Sequence, residues 1–110
     1  MVFLSYAFEN SKLSNNLAEC LRAAGVHTWM APGSAPTGKW WRTEIVKAIG
    51  DSGALVCLIT KEANHSQNVW TELGLAQKRE KHVIPIIIGT FELSEALQTN
   101  LLRISADSEV

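Results

Sequence analysis

The chain has no apolar run long enough to cross a bilayer: the longest, Val83 to Ile88, covers six residues, where a spanning helix needs about 20. It has little net charge either. Ten lysines and arginines against eleven aspartates and glutamates leave -1, so no global field recruits nucleic acid or an anionic membrane. Cysteine is scarce. Cys20 and Cys57 are too few for a disulfide framework and lack zinc-ligand spacing. Cys20 falls on the apolar face of an expected helix and Cys57 inside an expected buried strand, which reads as two isolated buried thiols in a reduced protein. His27, His65 and His82 share no helical metal-ligand spacing, so no metal site is expected. No signal peptide is visible. The expectation is a soluble, cytoplasmic protein that binds neither membrane nor nucleic acid directly.

The familiar nucleotide motifs are missing too. No Gly-x-Gly-x-x-Gly follows the first apolar run, and no phosphate loop ends in Gly-Lys-Ser/Thr. The third apolar run ends in Thr60-Lys61, where a phosphoacceptor site would need an acid. His65 beside Ser66 is adjacency, not a catalytic triad.

What is present is a globular composition, 46% hydrophobic and 19% charged in 110 residues, enough for a single domain over 1–110 with its own core. Val2-Phe3-Leu4 follow Met1 directly, which suits a whole protein or a domain cut from a larger one. Val2 to Tyr6 reads as a buried strand, and Asn10-Ser11 as a helix N-cap. Leu13, Leu17, Leu21 and Ala24, spaced four, four and three apart, form one helical face, closed by Gly25 as a left-handed cap. Val26 to Trp29 is a second strand. Met30 to Gly38, rich in glycine and proline, continues neither structure.

Trp41, Ile45, Ala48 and Ile49 give a second helical face stopped by Gly50. Ala54 to Thr60 is a continuous apolar strand, as one covered on both sides would be. Asn64 to Asn68 lead into a third helix carrying Val69, Leu73 and Ala76, with basic residues in its last turn. Val83 to Ile88 is a fourth buried strand, off centre or bulged because of Pro85. Leu93, Leu97 and Leu101 suggest a short final helix, and Leu102 to Ala106 a weak fifth strand.

Strands alternating with helices give a flavodoxin-like three-layer α/β sandwich, with a five-stranded parallel sheet in the order 2-1-3-4-5 and helices on both faces. The switch point then lies between strands one and three. Its crevice is lined by Tyr6 to Asn10, by Lys61 to Ser66 and by the helix that follows, with the proline-glycine loop next door. Glu72 and Ser66 converge there for a topological reason. A plainer role is open to each: Glu72 as a helix-dipole acid in the first turns, Ser66 as an N-cap.

The chain also resembles a bacterial Toll/interleukin-1 receptor (TIR) domain over nearly its full length. The matching boxes are Val2-Phe3-Leu4-Ser5-Tyr6 with Glu9; then Thr28-Trp29-Met30-Ala31-Pro32, Gly38, Trp41, Ile45 and Ala48-Ile49 around the loop often called the BB loop; then Ser66, Val69 and Glu72, with Val83-Ile-Pro-Ile. The resemblance implies NAD+ cleavage between nicotinamide and ribose, with Glu72 as the essential glutamate and Ser66 as its ribose-side companion. It implies a substrate site that also draws on Tyr6, Ala7, Phe8, Trp29, Pro32, Lys39 and Trp40. Phe8 is the candidate aromatic wall. Trp29 and Trp40 could stack on a base or on an adjacent protomer, and Lys39 could neutralise a pyrophosphate. NAD+ is the substrate, and no cofactor is implied.

The implied partners are other TIR domains in a homo-oligomer or filament, and a fused or associated sensor domain in anti-phage or immune signalling. A non-catalytic TIR–TIR interaction module is the alternative. The chain departs from many active relatives in carrying Asn68 four residues before Glu72, with Trp70 two positions later.

Overall fold

The computed structural model describes residues 1–30, 39–95 and 97–99. Four strands form one parallel sheet: β1 (Val2–Ser5), β2 (Thr28–Met30), β3 (Ala54–Ile59) and β4 (His82–Ile87). Their order is β2-β1-β3-β4, the expected 2-1-3-4. The expected fifth strand, Leu102 to Ala106, lies outside the described residues. Three helices, α1 (Ser11–Ala23), α2 (Lys39–Asp51) and α3 (Gln67–Lys78), connect successive strands.

Strand side chains alternate between faces, and this alternation builds two cores. Phe3, Leu55, Cys57 and Ile59 face α2 and α3, meeting Ala48, Ile49, Val69, Leu73 and Ala76. Leu4, Tyr6, Val56 and Leu58 face the other way and meet Ala18, with Leu17 packed alongside. A fully buried side chain of this size contributes about 1.5–3 kcal/mol, so β1 and β3, covered on both faces, anchor the domain.

Several expectations need correction. In α1 it is Ser14 and Ala18 that are fully buried, while Leu13 is exposed. Small side chains one turn apart let the helix backbone approach the sheet, and the buried face is turned by one residue from the leucine stripe. Cys20 is therefore exposed, not buried; Cys57 is buried as expected. Asn10 holds the N-cap position of α1 but makes no side-chain cap bond. Gly50 lies within α2, which runs on to Asp51. A basic residue from elsewhere meets that helix end: Lys81 Nζ donates to the Gly50 carbonyl at 2.9 Å, where the helix dipole favours a cation.

β4 is not a uniformly buried strand, since Ile84 and Ile87 are exposed and Val83 is buried. Among the described strands it lies at one edge of the sheet, off centre as Pro85 suggested. It carries no bulge, because its register with β3 is unbroken from Ala54↔His82 to Ile59↔Ile87.

Candidate functional site

The chain leaves β1 toward α1 on one face and leaves β3 toward α3 on the other. The carboxyl ends of these neighbouring strands diverge there and open the switch-point crevice. Phe8–Asn10 form a 3-10 turn on one side of it, and Glu62–His65 form another on the opposite side. A side-chain chain ties the two. Thr60 Oγ1 donates to Asn10 Oδ1 at 2.7 Å, and Asn10 Nδ2 reaches Glu62 Oε2 at 3.5 Å. This use of its amide explains why Asn10 leaves its helix uncapped.

Glu72 comes to this region from the middle of α3. It is the sixth residue of the helix, beyond the first turn, so the helix-dipole role does not apply to it. Only 7% of its surface is exposed. Its Oε1 accepts a 2.7 Å hydrogen bond from the Ser5 hydroxyl, while Oε2 receives none from the described residues. Burial pushes the carboxyl up to about 7, with the Ser5 hydrogen bond acting in the opposite direction. A group so placed exchanges its proton near neutral pH, a property found often at functional sites.

Ser5 ends β1 with no exposure and lies directly across from Cys57 of β3. The Cys57 thiol is pushed up to about 12, first by burial and then by the Glu72 charge, with Ser5 opposing. Tyr6 is raised as well, chiefly by burial. Ser5 was not singled out from sequence as a site residue. A signal for it existed: it is the polar residue in an otherwise apolar buried run, on the same face as Phe3, and a buried hydroxyl requires a partner.

The other candidates scatter. Tyr6 packs against the α1 side of the sheet, and Ala7 is fully buried. Phe8 is 57% exposed at the crevice, open to a planar ligand. Ser66 caps α3, accepting from the Val69 N–H at 3.3 Å, and makes no hydrogen bond to Glu72. Trp29 does not reach the crevice. Its ring stacks on Phe3 with centroids 4.9 Å apart and borders a small hollow with Met1, Glu44, Lys47, Ala48 and Asp51, at the opposite end of the sheet. Lys39 and Trp40 lie in the first turn of α2. Pro32 lies outside the described residues.

A groove of about 560 Å³ lined by Arg42, Thr43, Val46, Lys47, Gly50, Asp51 and Arg79 also lies at the end of the sheet away from Glu72. Among the described residues no cluster of histidine, cysteine and carboxylate side chains could hold a metal. Nor is any helix there long and apolar enough to cross a membrane.

A family model described as the TIR domain matches residues 2–109. The chain belongs to the TIR domain family. Solved structures agree. The TIR domains of the activated Roq1 resistosome, which directly recognizes the pathogen effector XopQ, superpose with a TM-score of 0.69 at 25% identity, over 96% of this chain and 70% of that one. The TIR domain of the Toll-related receptor TRR-2 from Hydra magnipapillata gives 0.73 at 21% identity, over 88% and 77%. A metazoan TIR-STING receptor from C. gigas gives 0.69 at 18% identity, over 97% of this chain but 40% of that one. The last two speak to the fold alone. No curated protein matches the chain. In this TIR domain Trp70, displaced from the position Asn68 takes, packs against the core facing α2 and α3, and its indole N–H is buried without a partner among the described residues.

Proposed function

We propose that this TIR domain is an NAD+ nucleosidase, releasing nicotinamide and leaving ADP-ribose or a cyclic isomer. The observation that carries the reading is Glu72: a buried carboxyl at the switch-point crevice, bonded on one oxygen by Ser5 and, among the described residues, with no hydrogen bond on the other.

In the reaction the bond between ribose C1′ and the nicotinamide nitrogen breaks, and its electron pair stays on nitrogen. Nicotinamide is cationic in NAD+ and leaves neutral, so no general acid is needed, unlike the two-carboxyl glycosidases. Positive charge develops at C1′ and the ring oxygen. An ionised Glu72, shielded from water, stabilises that charge strongly and accepts from a ribose hydroxyl through Oε2. An arriving cation also favours the ionised carboxylate. Water adds to C1′ and loses a proton to give ADP-ribose, or a ring nitrogen of the adenine attacks to give the cyclic product.

Phe8 offers an aromatic surface beside the ribose site. Tyr6 and Ala7 lie beneath it, and Lys39, Trp40 and Pro32 are the further residues proposed to contact the substrate. Trp29 and Ser66 act through packing and capping. The domain works in the cytoplasm as a homo-oligomer, switched on by a fused or associated sensor in anti-phage or immune signalling.

The test is nicotinamide release by the clustered domain, compared with Glu72→Ala. Release by the wild type and loss in the variant support the reading; equal release, or none from either, overturns it. The 7% exposure of Glu72 favours one other reading, a module that assembles with other TIR domains without turnover. Assembly with no nicotinamide release would select it.

A further inference from the structure

Ser5 is a fully buried side chain at the end of a strand held in the interior of the sheet. β1 is paired on both sides, through Val2–Leu4 with β2 and through Val2–Ser5 with β3. Its hydroxyl has one proton to give, and gives it to Glu72 across 67 residues of sequence at 2.7 Å, the short range of a bond to a charged acceptor. Glu72, by contrast, sits on a long side chain with three torsions. Without a fixed donor, its carboxyl has no hydrogen-bond partner among the described residues.

We propose, resting on the reading of Glu72 as the catalytic carboxylate, that Ser5 is its positioning residue. The Ser5 hydroxyl holds the Glu72 carboxyl in the orientation that presents Oε2 to the ribose, and keeps it ionised at the pH where the enzyme works. The hydrogen bond favours the charged form and burial opposes it. Among the described residues, the titratable groups coupled to Glu72 are Tyr6, just after β1, and Cys57 from β3. Both are raised and stay neutral across the range in which Glu72 titrates. No second acid lies on α3. The acid limb of the pH profile therefore belongs to Glu72 and responds to Ser5.

The experiment follows the Glu72 side-chain carboxyl by ¹³C NMR titration in the wild type, Ser5→Ala and Ser5→Thr. The pH profile of kcat/KM for nicotinamide release is measured on the same three clustered proteins. In Ser5→Ala the midpoint is expected to rise by about one to two pH units, and the acid limb to move by the same amount. Activity then recovers only in part at alkaline pH, where the carboxyl is ionised but no longer held in orientation. Ser5→Thr keeps the hydroxyl and the wild-type midpoint. A Ser5→Ala midpoint within a few tenths of a unit of wild type, or activity lowered equally at every pH, overturns the proposal. If the wild type releases no nicotinamide, the nucleosidase reading fails, and the titration still decides whether Ser5 sets the state of Glu72.

Discussion

Thr60 Oγ1 hands its proton to Asn10 Oδ1 at 2.7 Å and accepts from the Ala63 N–H at 3.1 Å. One hydroxyl thus joins the turn after β1 to the turn after β3 and braces the mouth of the crevice. Thr60 is 4% exposed, so an isosteric Thr60→Val leaves the Asn10 amide with an unmet acceptor inside a partly buried site. We expect a loss of about 1–3 kcal/mol in urea unfolding with an unchanged m-value. Asn10→Ala should cost a comparable amount, and the double variant less than the sum, because the two share one interaction. Additive losses would show that the tie contributes nothing.

Glu80 stands at the end of α3 where Gly25 stands at the end of α1. After α1, Gly25 N–H bonds to the Arg22 carbonyl at 3.0 Å and Val26 N–H to Leu21 at 2.8 Å. After α3, Glu80 N–H bonds to Gln77 at 3.0 Å and Lys81 N–H to Ala76 at 2.8 Å. These are the same capping motif, and both central residues have positive φ, 86° for Gly25 and 57° for Glu80. A side chain there costs about 1 kcal/mol relative to glycine. Glu80→Gly is expected to stabilise the domain by roughly 1 kcal/mol and Gly25→Ala to destabilise it by at least as much, both read from thermal melts. A destabilised Glu80→Gly would mean that the glutamate side chain makes a compensating contact.

The fold was legible because its signals are periodic. The unbroken run Ala54 to Thr60 and the spacing of Val69, Leu73 and Ala76 each had one reading, and the structure buries all three of those helix residues. α1 misled because its three leucines recur at an even spacing of four: periodicity locates a stripe but not the depth at which the helix meets the sheet. Ser14 and Ala18 decide that depth, and Cys20 follows them outward. Glu72 was legible as a place in the topology. Its environment was not, because that depends on Ser5, 67 positions earlier, and on a register that no local pattern encodes. For Trp29 the sequence left the partner open, because an aromatic beside a loop suits stacking on a base and stacking on Phe3 equally well, and the structure stacks it on Phe3.

The two cysteines should differ sharply toward a thiol reagent. Cys20 is exposed and Cys57 buried, and the Cys57 thiol, at about 12, holds almost no thiolate at neutral pH. Ellman's reagent is expected to titrate one thiol promptly in the native domain and the second only on denaturation. Cys20→Ser should remove the prompt phase entirely. A prompt phase that persists in Cys20→Ser would show that the strand beneath Glu72 opens readily.

The same burial that suits Glu72 to its proposed role makes it a liability for the fold. Its carboxyl is raised from the ordinary 4.5 to about 7, so the native state holds this proton more tightly than the unfolded chain does. Below pH 4.5 both states are protonated and the residue adds no penalty. Between 4.5 and 7 the unfolded chain ionises first, and native stability falls as pH rises. Above 7 the full cost applies, on the order of 3 kcal/mol. Glu72→Gln cannot ionise and keeps an oxygen for the Ser5 hydroxyl. It is therefore expected to match the wild type near pH 4 and to become progressively more stable, by up to about 3 kcal/mol, at pH 8. Glu62, which hydrogen bonds from its own backbone and from Asn10 hold below the ordinary range, pulls the opposite way but cancels, since both proteins carry it. Urea unfolding of the pair at several pH values checks this; parallel stability curves would show that Glu72 is not raised in the native domain.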